Sequence, residues 1–276
     1  MTELWSINMS RFNRLLVLFV AALATTFFSA PALAQNAPTI GIVIMHGKGG
    51  RPERFVSVLA EGLERKGWLV ANIEMPWSGR REYDVDTAGA EQQVTAALNE
   101  LRSKGAKKLF VAGHSQGGVF ALYYASRNPL DGVIPMAPGG SVDAPVYAQN
   151  VGGALALAQR MVADGKGAER GVFKDYEGSR GVNDVHTTAA TYVTWFDPNG
   201  AMNQGKSSRA IPATTPVLYI APRNDYPGLV RFKSSMFAAL PSNPLTRMTD
   251  IEGDHLNAPG NSIDTIARWV GEVVAK

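Results

Sequence analysis

A serine framed by glycines occupies residues 113–117, GHSQG, directly after the apolar run KLFVA and directly before the helix-like stretch GVFALYYA. Glycine adds nothing to a core strand, and in a helix interior each one costs about 1 kcal/mol relative to alanine. The backbone itself must therefore require Gly113 and Gly117. A tight strand-to-helix turn does so: it forces its central residue into a strained conformation and brings strand and helix too close for side chains on either flank. Such a turn lifts the Ser115 hydroxyl above a sheet edge and sets it at a helix N-terminus, where the dipole favours negative charge. The chemistry this serves is nucleophilic attack. A hydroxyl is a poor nucleophile at neutral pH, so a general base is required, and an acid that orients the base.

Only four histidines are present. His46 ends an apolar run, His114 sits inside the serine turn and reads as a structural neighbour, and His186 lies far from any strand signal. His255, in EGDHLNAPG after the last strand-like run, is the expected base, with His186 second. Asp225, directly after VLYIAPRN, is the expected acid, and Asp131 or Asp143 the alternative. Asp254 reads as a residue that orders its own loop. The order Ser115, Asp225, His255 is one in which such triads occur. A developing oxyanion also needs donors. The main-chain N–H of Gln116, following the serine, supplies one; the loop HGKGGRP after the first strand supplies a second, expected at Lys48 N–H.

The elements that must hold these residues are read from periodicity. TIGIVIMHG, WLVANIEMP, KKLFVAGH, GVIPMAPG, TPVLYIAPRND and LTRMTDIEGD are short apolar runs typical of buried strands. Between them lie stretches with helical spacing, such as ERFVSVLAEGLERKG and residues 88–104, that end on glycine or proline. Alternating strands and helices imply a mostly parallel sheet of about six strands, covered on both faces, with its site at the carboxyl ends of the strands. Residues 141–212 break the rhythm and are expected to form an inserted, mainly helical cap.

The N-terminus is a separate matter. Arg11 and Arg14 precede LLVLFVAALATTFF and then SAPALA. This describes a cleavable export signal over residues 1–34, with the domain following at 35–276. The run is short for a membrane span, so no stable anchor is expected after cleavage, and a periplasmic or secreted bacterial location is. The 276 residues contain no cysteine, which excludes disulfides, a lipid-modified cysteine and a thiolate nucleophile. The net charge of +3 is scattered, which argues against nucleic acid as a partner.

With MHGKGG at the oxyanion loop, GHSQGG at the serine, PRNDYP at the acid and GDHLNAP at the base, the chain resembles the α/β-hydrolase fold superfamily over nearly all of residues 35–276. The resemblance implies acyl transfer. Ser115 attacks a carbonyl, His255 takes the proton, Asp225 stabilises the imidazolium, and water then cleaves the acyl-enzyme, with no metal or cofactor. The superfamily's usual two leading strands look absent, which leaves a six-stranded core. A small carboxylic ester is the expected substrate. A thioesterase or a peptidase/amidase would use the same triad, and a non-catalytic binding protein on this scaffold is a more distant alternative. Trp77 and Trp195, with Tyr192, Phe196 and Met202, are candidates for an apolar acyl pocket or for cap core. Lys48, Arg51, Arg80 and Arg81 can bind an anionic leaving group or remain solvated surface.

Overall fold

The computed structural model describes residues 39–276, so the expected export signal lies outside the described residues. The chain runs β1 (Ile40–Met45), α1 (Ser57–Glu64), β2 (Leu69–Ile73), α2 (Thr87–Ser103), β3 (Lys108–His114), α3 (Gln116–Ala125) and β4 (Gly132–Met136). An insert follows: α4 (Pro145–Ala163), β5 (Arg170–Glu177), β6 (Gly181–Thr188), α5 (Ala189–Phe196) and α6 (Gln204–Ala210). The chain then returns through β7 (Leu218–Asn224), α7 (Pro227–Ala238), β8 (Arg247–Asp254), α8 (Ala258–Asn261) and α9 (Ile263–Val274).

Six strands form one parallel sheet in the order β2-β1-β3-β4-β7-β8. Strand β1 shows why its sequence is apolar at every position. Ile42 and Ile44 face one layer, with Leu59 and Leu63 of α1 and Ile266, Trp269 and Val270 of α9. Val43 and Met45 face the other, with Val94 and Leu98 of α2 and Phe120 of α3. A sheet covered on both sides has no polar face to display. The spacing of Ile266, Trp269, Val270 and Val273 makes α9 a one-faced helix, and these four side chains are buried. From β1 the sheet grows outward in one direction to β2 and in the other to β3. The reversal therefore lies between β1 and β3, where ligands of open α/β sheets bind.

The insert over residues 141–212 is mainly helical, with α4, α5 and α6, and adds one element that no clear strand signal marked: the antiparallel hairpin β5–β6, paired from Arg170↔Thr188 to Glu177↔Gly181. Its alternation is real but one-sided: Phe173 and Asp175 on β5, and Val185 and Thr187 on β6, are buried while their neighbours face outward. A half-polar hairpin produces no continuous apolar run, so it is hard to see beside the core strands. The insert is not a loosely attached lid. Phe173, Tyr192, Trp195 and Phe196 share one apolar cluster with Trp77 and Phe120 of the main domain.

Candidate active site

Ser115 follows the last residue of β3 and precedes the first of α3, at φ 55° and ψ −120°. This conformation is rare for a residue with a side chain, and such strain persists only where the surroundings impose it. They do here. A Cβ on Gly113 would lie 2.0 Å from Gly117 O, and one on Gly117 would lie 2.6 Å from His46 O. Strand, turn and helix thus interlock with no space for methyl groups. Ser115 N–H donates to Met136 O of β4 at 2.9 Å, and Ser115 O accepts from Gly118 N at 2.9 Å and Gly139 N at 3.2 Å. Both neighbours of the serine turn therefore fix it.

The carboxyl ends of β7 and β8 bring Asp225 and His255 to the same edge. His255 Nδ1 lies 2.7 Å from Asp225 Oδ1, and both side chains are more than nine-tenths buried. The same carboxylate oxygen accepts Tyr226 N–H at 2.7 Å, which holds it toward the ring. With Nδ1 donating to the carboxylate, the tautomer leaves His255 Nε2 as the acceptor. Ser115 and His255 line one cleft of about 200 Å³.

The other titratable candidates lie elsewhere. His186 is exposed on β6, where it pairs with Glu82 at 3.2 Å. Asp131 sits at the amino end of β4, bound to Lys108 Nζ and Leu109 N–H, so it is at the wrong edge of the sheet to act as the acid. Asp143 accepts the Ser141 hydroxyl. Asp254 accepts Leu256 and Asn257 N–H, each at 3.0 Å, and so orders its own loop.

His114 has a more specific task than filling space. Its Nε2 lies 2.8 Å from the main-chain oxygen of His255, and the two rings are 4.8 Å apart. Burial, and then the proximity of His255, lower the His114 pKa to about 3. Burial likewise lowers the pKa of His46, whose Nε2 accepts Met75 N–H at 3.0 Å. A pH dependence follows. Between about pH 3 and the ordinary value of 6.5, the unfolded chain binds a proton at position 114 that the folded chain excludes. Stability therefore rises with pH across that window and falls as pH drops below about 6.5, by up to about 1.4 kcal/mol per pH unit. Melting temperatures from pH 7.5 to 4.5 should fall less for His114→Gln than for the unmodified protein; equal losses would remove this assignment.

The candidate oxyanion loop, residues 46–52, is shaped by a residue that the sequence suggested for a different role. Trp77 was a candidate for the acyl pocket, but it is 2% exposed and does not line the cleft. Its indole N–H donates to His46 O at 2.9 Å and its carbonyl accepts Gly49 N–H at 2.9 Å. It braces the loop from beneath. Trp195 is also core, its indole N–H satisfied by Val85 O at 2.8 Å, and it borders only a small second cavity beside Lys48 and Gln116. Gly50 N–H closes on Gly47 O at 3.0 Å. Among the described residues, Lys48 and Gln116 N–H have no main-chain acceptor outside helices and strands. Gln116 is the first residue of α3, where N–H groups lack intrahelical partners.

The side chains of those two residues converge as well. Lys48 Nζ, buried, contacts Asp175 Oδ1 at 2.5 Å, Tyr147 OH at 3.0 Å and Tyr176 O at 3.0 Å. Asp175 Oδ2 accepts the Tyr83 hydroxyl at 3.0 Å, and that hydroxyl lies 3.2 Å from the Gln116 amide nitrogen. Burial opposes the Lys48 charge, but the adjacent carboxylate overrides it and raises the lysine pKa well above the ordinary value. One carboxylate of the insert therefore ties together the residues carrying both candidate oxyanion donors. The alternation that buries Phe173 and Asp175 on the same side of β5 is the one sequence signal that marks Asp175.

Against this geometry stand the comparisons with known proteins. The family described as serine aminopeptidase, S33 (Hydrolase_4) matches residues 36–175. A thermostable monoacylglycerol lipase of Bacillus sp. (strain H-257) is 29% identical over 128 residues, which are 45% of this chain and 49% of that protein. The chain thus spans about half the length of this curated relative. Among solved structures, the Paleococcus ferrophilus monoacylglycerol lipase aligns with a TM-score of 0.55 at 21% identity, covering 86% of this chain and 96% of that one. A thermostable carboxyl esterase from Bacillus coagulans aligns at 0.62 with 14% identity, covering 87% and 92%. At such identities these structures bear on the fold, which is that of the α/β hydrolases.

Proposed function

We propose, from the premise that this chain belongs to the serine aminopeptidase S33 family of α/β hydrolases, that it is a serine hydrolase cleaving small carboxylic esters. The observation carrying this reading is the strained Ser115, which shares a cleft with a histidine hydrogen-bonded to a buried carboxylate. His255 Nε2 takes the Ser115 proton as Oγ attacks the carbonyl carbon. The imidazolium is stabilised by Asp225, and the tetrahedral oxyanion forms beside Lys48 and Gln116 N–H. His255 then protonates the departing alcohol. Water, deprotonated by the same nitrogen, releases the acid from the acyl-serine.

The name of the family raises aminopeptidase activity as a second reading. The charge at the cleft disfavours it. A free amino terminus would meet Arg51, Arg54 and Arg180, while the one carboxylate among the lining residues, Glu177, is engaged by Ser179 Oγ at 2.8 Å and by Arg180 at 3.7 Å. The lipase and esterase activities named for the relatives support the ester reading.

Residues 35–276 should hydrolyse a p-nitrophenyl ester series from acetate to palmitate with a chain-length optimum, and a fluorophosphonate should label Ser115. Labelling with turnover of aminoacyl anilides and not of esters would favour the peptidase reading; no labelling would refute the nucleophile. Export rests on residues 1–34 alone, and the mature chain recovered from a bacterial periplasm should begin at Gln35.

A further inference from the structure

Several basic residues lie near the site, and the structure separates those already engaged from those that are not. Lys48 is held by Asp175, Arg80 pairs with Glu74 and Glu53, and Arg81 pairs with Asp84. These cannot receive an anion without losing a carboxylate. Arg51, within the candidate oxyanion loop, and Arg54, just after it, line the Ser115 cleft and form no ion pair among the described residues. Arg180 reaches the same cleft from the opposite side, out of the β5–β6 turn. Its Nη1 would lie 2.8 Å from a Cβ on Gly49, so the guanidinium rests directly on the oxyanion loop. Its one acidic neighbour, Glu177, stands 3.7 Å away and shares its carboxylate with Ser179.

Three arginines from two separate parts of the chain therefore line one cleft whose single carboxylate, Glu177, pairs with Arg180 and leaves Arg51 and Arg54 without a counter-charge there. Guanidinium is always charged and presents a fork of donors that matches a carboxylate or phosphate. A cleft lined by one sign of charge also concentrates ligands of the other. Neutral short-chain esters would leave these donors facing only water.

We propose that the Ser115 cleft selects esters carrying a second, anionic group, a carboxylate or phosphate, which Arg51, Arg54 and Arg180 receive while the ester carbonyl lies at Ser115. The proposal rests on the serine-hydrolase reading above. It assigns these arginines to specificity and leaves the bond-breaking steps to Ser115 and His255. Because the groups are partly solvated, the selection weakens with ionic strength.

The test compares matched esters. On the acyl side the pair is mono-4-nitrophenyl glutarate against 4-nitrophenyl valerate; on the leaving-group side it is 4-carboxyphenyl butyrate against phenyl butyrate. The unmodified enzyme should favour the anionic member of one pair in kcat/KM, and the pair that responds locates the charge. Arg51→Gln, Arg54→Gln and Arg180→Gln should each reduce that preference, read as the ratio of kcat/KM for the anionic to the neutral member, by about tenfold. Raising sodium chloride from 0.05 to 0.5 M should also shrink it. An anionic-to-neutral ratio unmoved by all three substitutions, in both pairs, overturns the proposal. If no ester turns over, the hydrolase reading is the part that fails. The arginine site is then read separately, from whether glutarate or inorganic phosphate slows fluorophosphonate labelling of Ser115 in the unmodified protein and not in the triple variant. No protection by either anion also overturns it.

Discussion

Replacement of His255 by alanine is expected to lower kcat on a neutral p-nitrophenyl ester by on the order of 10⁶-fold, and Asp225→Asn by about 10⁴-fold. The two effects differ because the roles differ. Without the imidazole there is no base for the Ser115 proton and no acid for the leaving alkoxide. With asparagine at position 225, the amide can turn its N–H₂ toward Nδ1 and impose the wrong tautomer, which removes the acceptor at Nε2 while the ring remains in place. Melting temperature should fall only modestly in Asp225→Asn, because the turned amide costs one main-chain hydrogen bond, that of Tyr226 N–H, and leaves the rest of the fold in place. Stopped-flow and steady-state kinetics, with circular dichroism as the control for folding, check both. Equal losses in the two variants would mean that Asp225 does more than orient the ring; near-normal rates in either would remove the triad.

The second large effect concerns stability and rate together. Asp175→Ala leaves Lys48 buried with a charge and no counter-ion, and breaking a buried pair in this way typically costs about 3–5 kcal/mol. It also releases the Tyr83 hydroxyl and with it the Gln116 amide. Misplacement of one oxyanion donor lowers kcat by roughly 10²–10³-fold. The double variant Lys48→Met with Asp175→Leu separates the contributions. It removes both charges, so part of the stability should return, offset by the larger volume of leucine than of aspartate, while kcat stays low if the donors depend on this tether for their position. Chemical denaturation and ester kinetics on Lys48→Met, Asp175→Leu and the double variant, beside Asp175→Ala, give the cycle. A double variant with both stability and rate restored would show that the pair has no part in placing the donors.

Much of this arrangement was legible in the sequence, because its signals are local. The glycines around Ser115 are required by contacts within a few residues and by the adjoining β1 end. Asp225 and His255 each follow a recognisable strand, so a parallel sheet brings them to one edge without further information. Strands β1, β3, β4 and β7 were visible because burial on both faces makes them largely apolar, whereas the edge strands β2 and β8 are only partly buried and β8 carries several charged residues. What could not be read depends on distant parts of the chain. Trp77 stands just past β2, where an aromatic residue can face either the cleft or the core, and only the position of His46 O decides the matter. Asp175 carries no motif, and its significance depends on the register of a hairpin packed against residues over a hundred positions away. Arg54 and Arg180 are ordinary surface arginines until the insert is laid over the oxyanion loop.

The Lys48–Asp175 contact also limits how this protein can be recombined. Inserts of this kind invite grafting: the segment between β4 and β7 is a natural unit to exchange for a relative's, in order to transfer substrate preference. Here the donor segment would have to bring a carboxylate to the position of Asp175, or the recipient would have to give up Lys48 in the same step. A crossover chosen only by where strands end would strand a lysine inside the scaffold. Libraries that shuffle the insert should therefore be built in two halves, one retaining the lysine and acid together and one replacing both, since chimeras with a single member of the pair start from a destabilised parent.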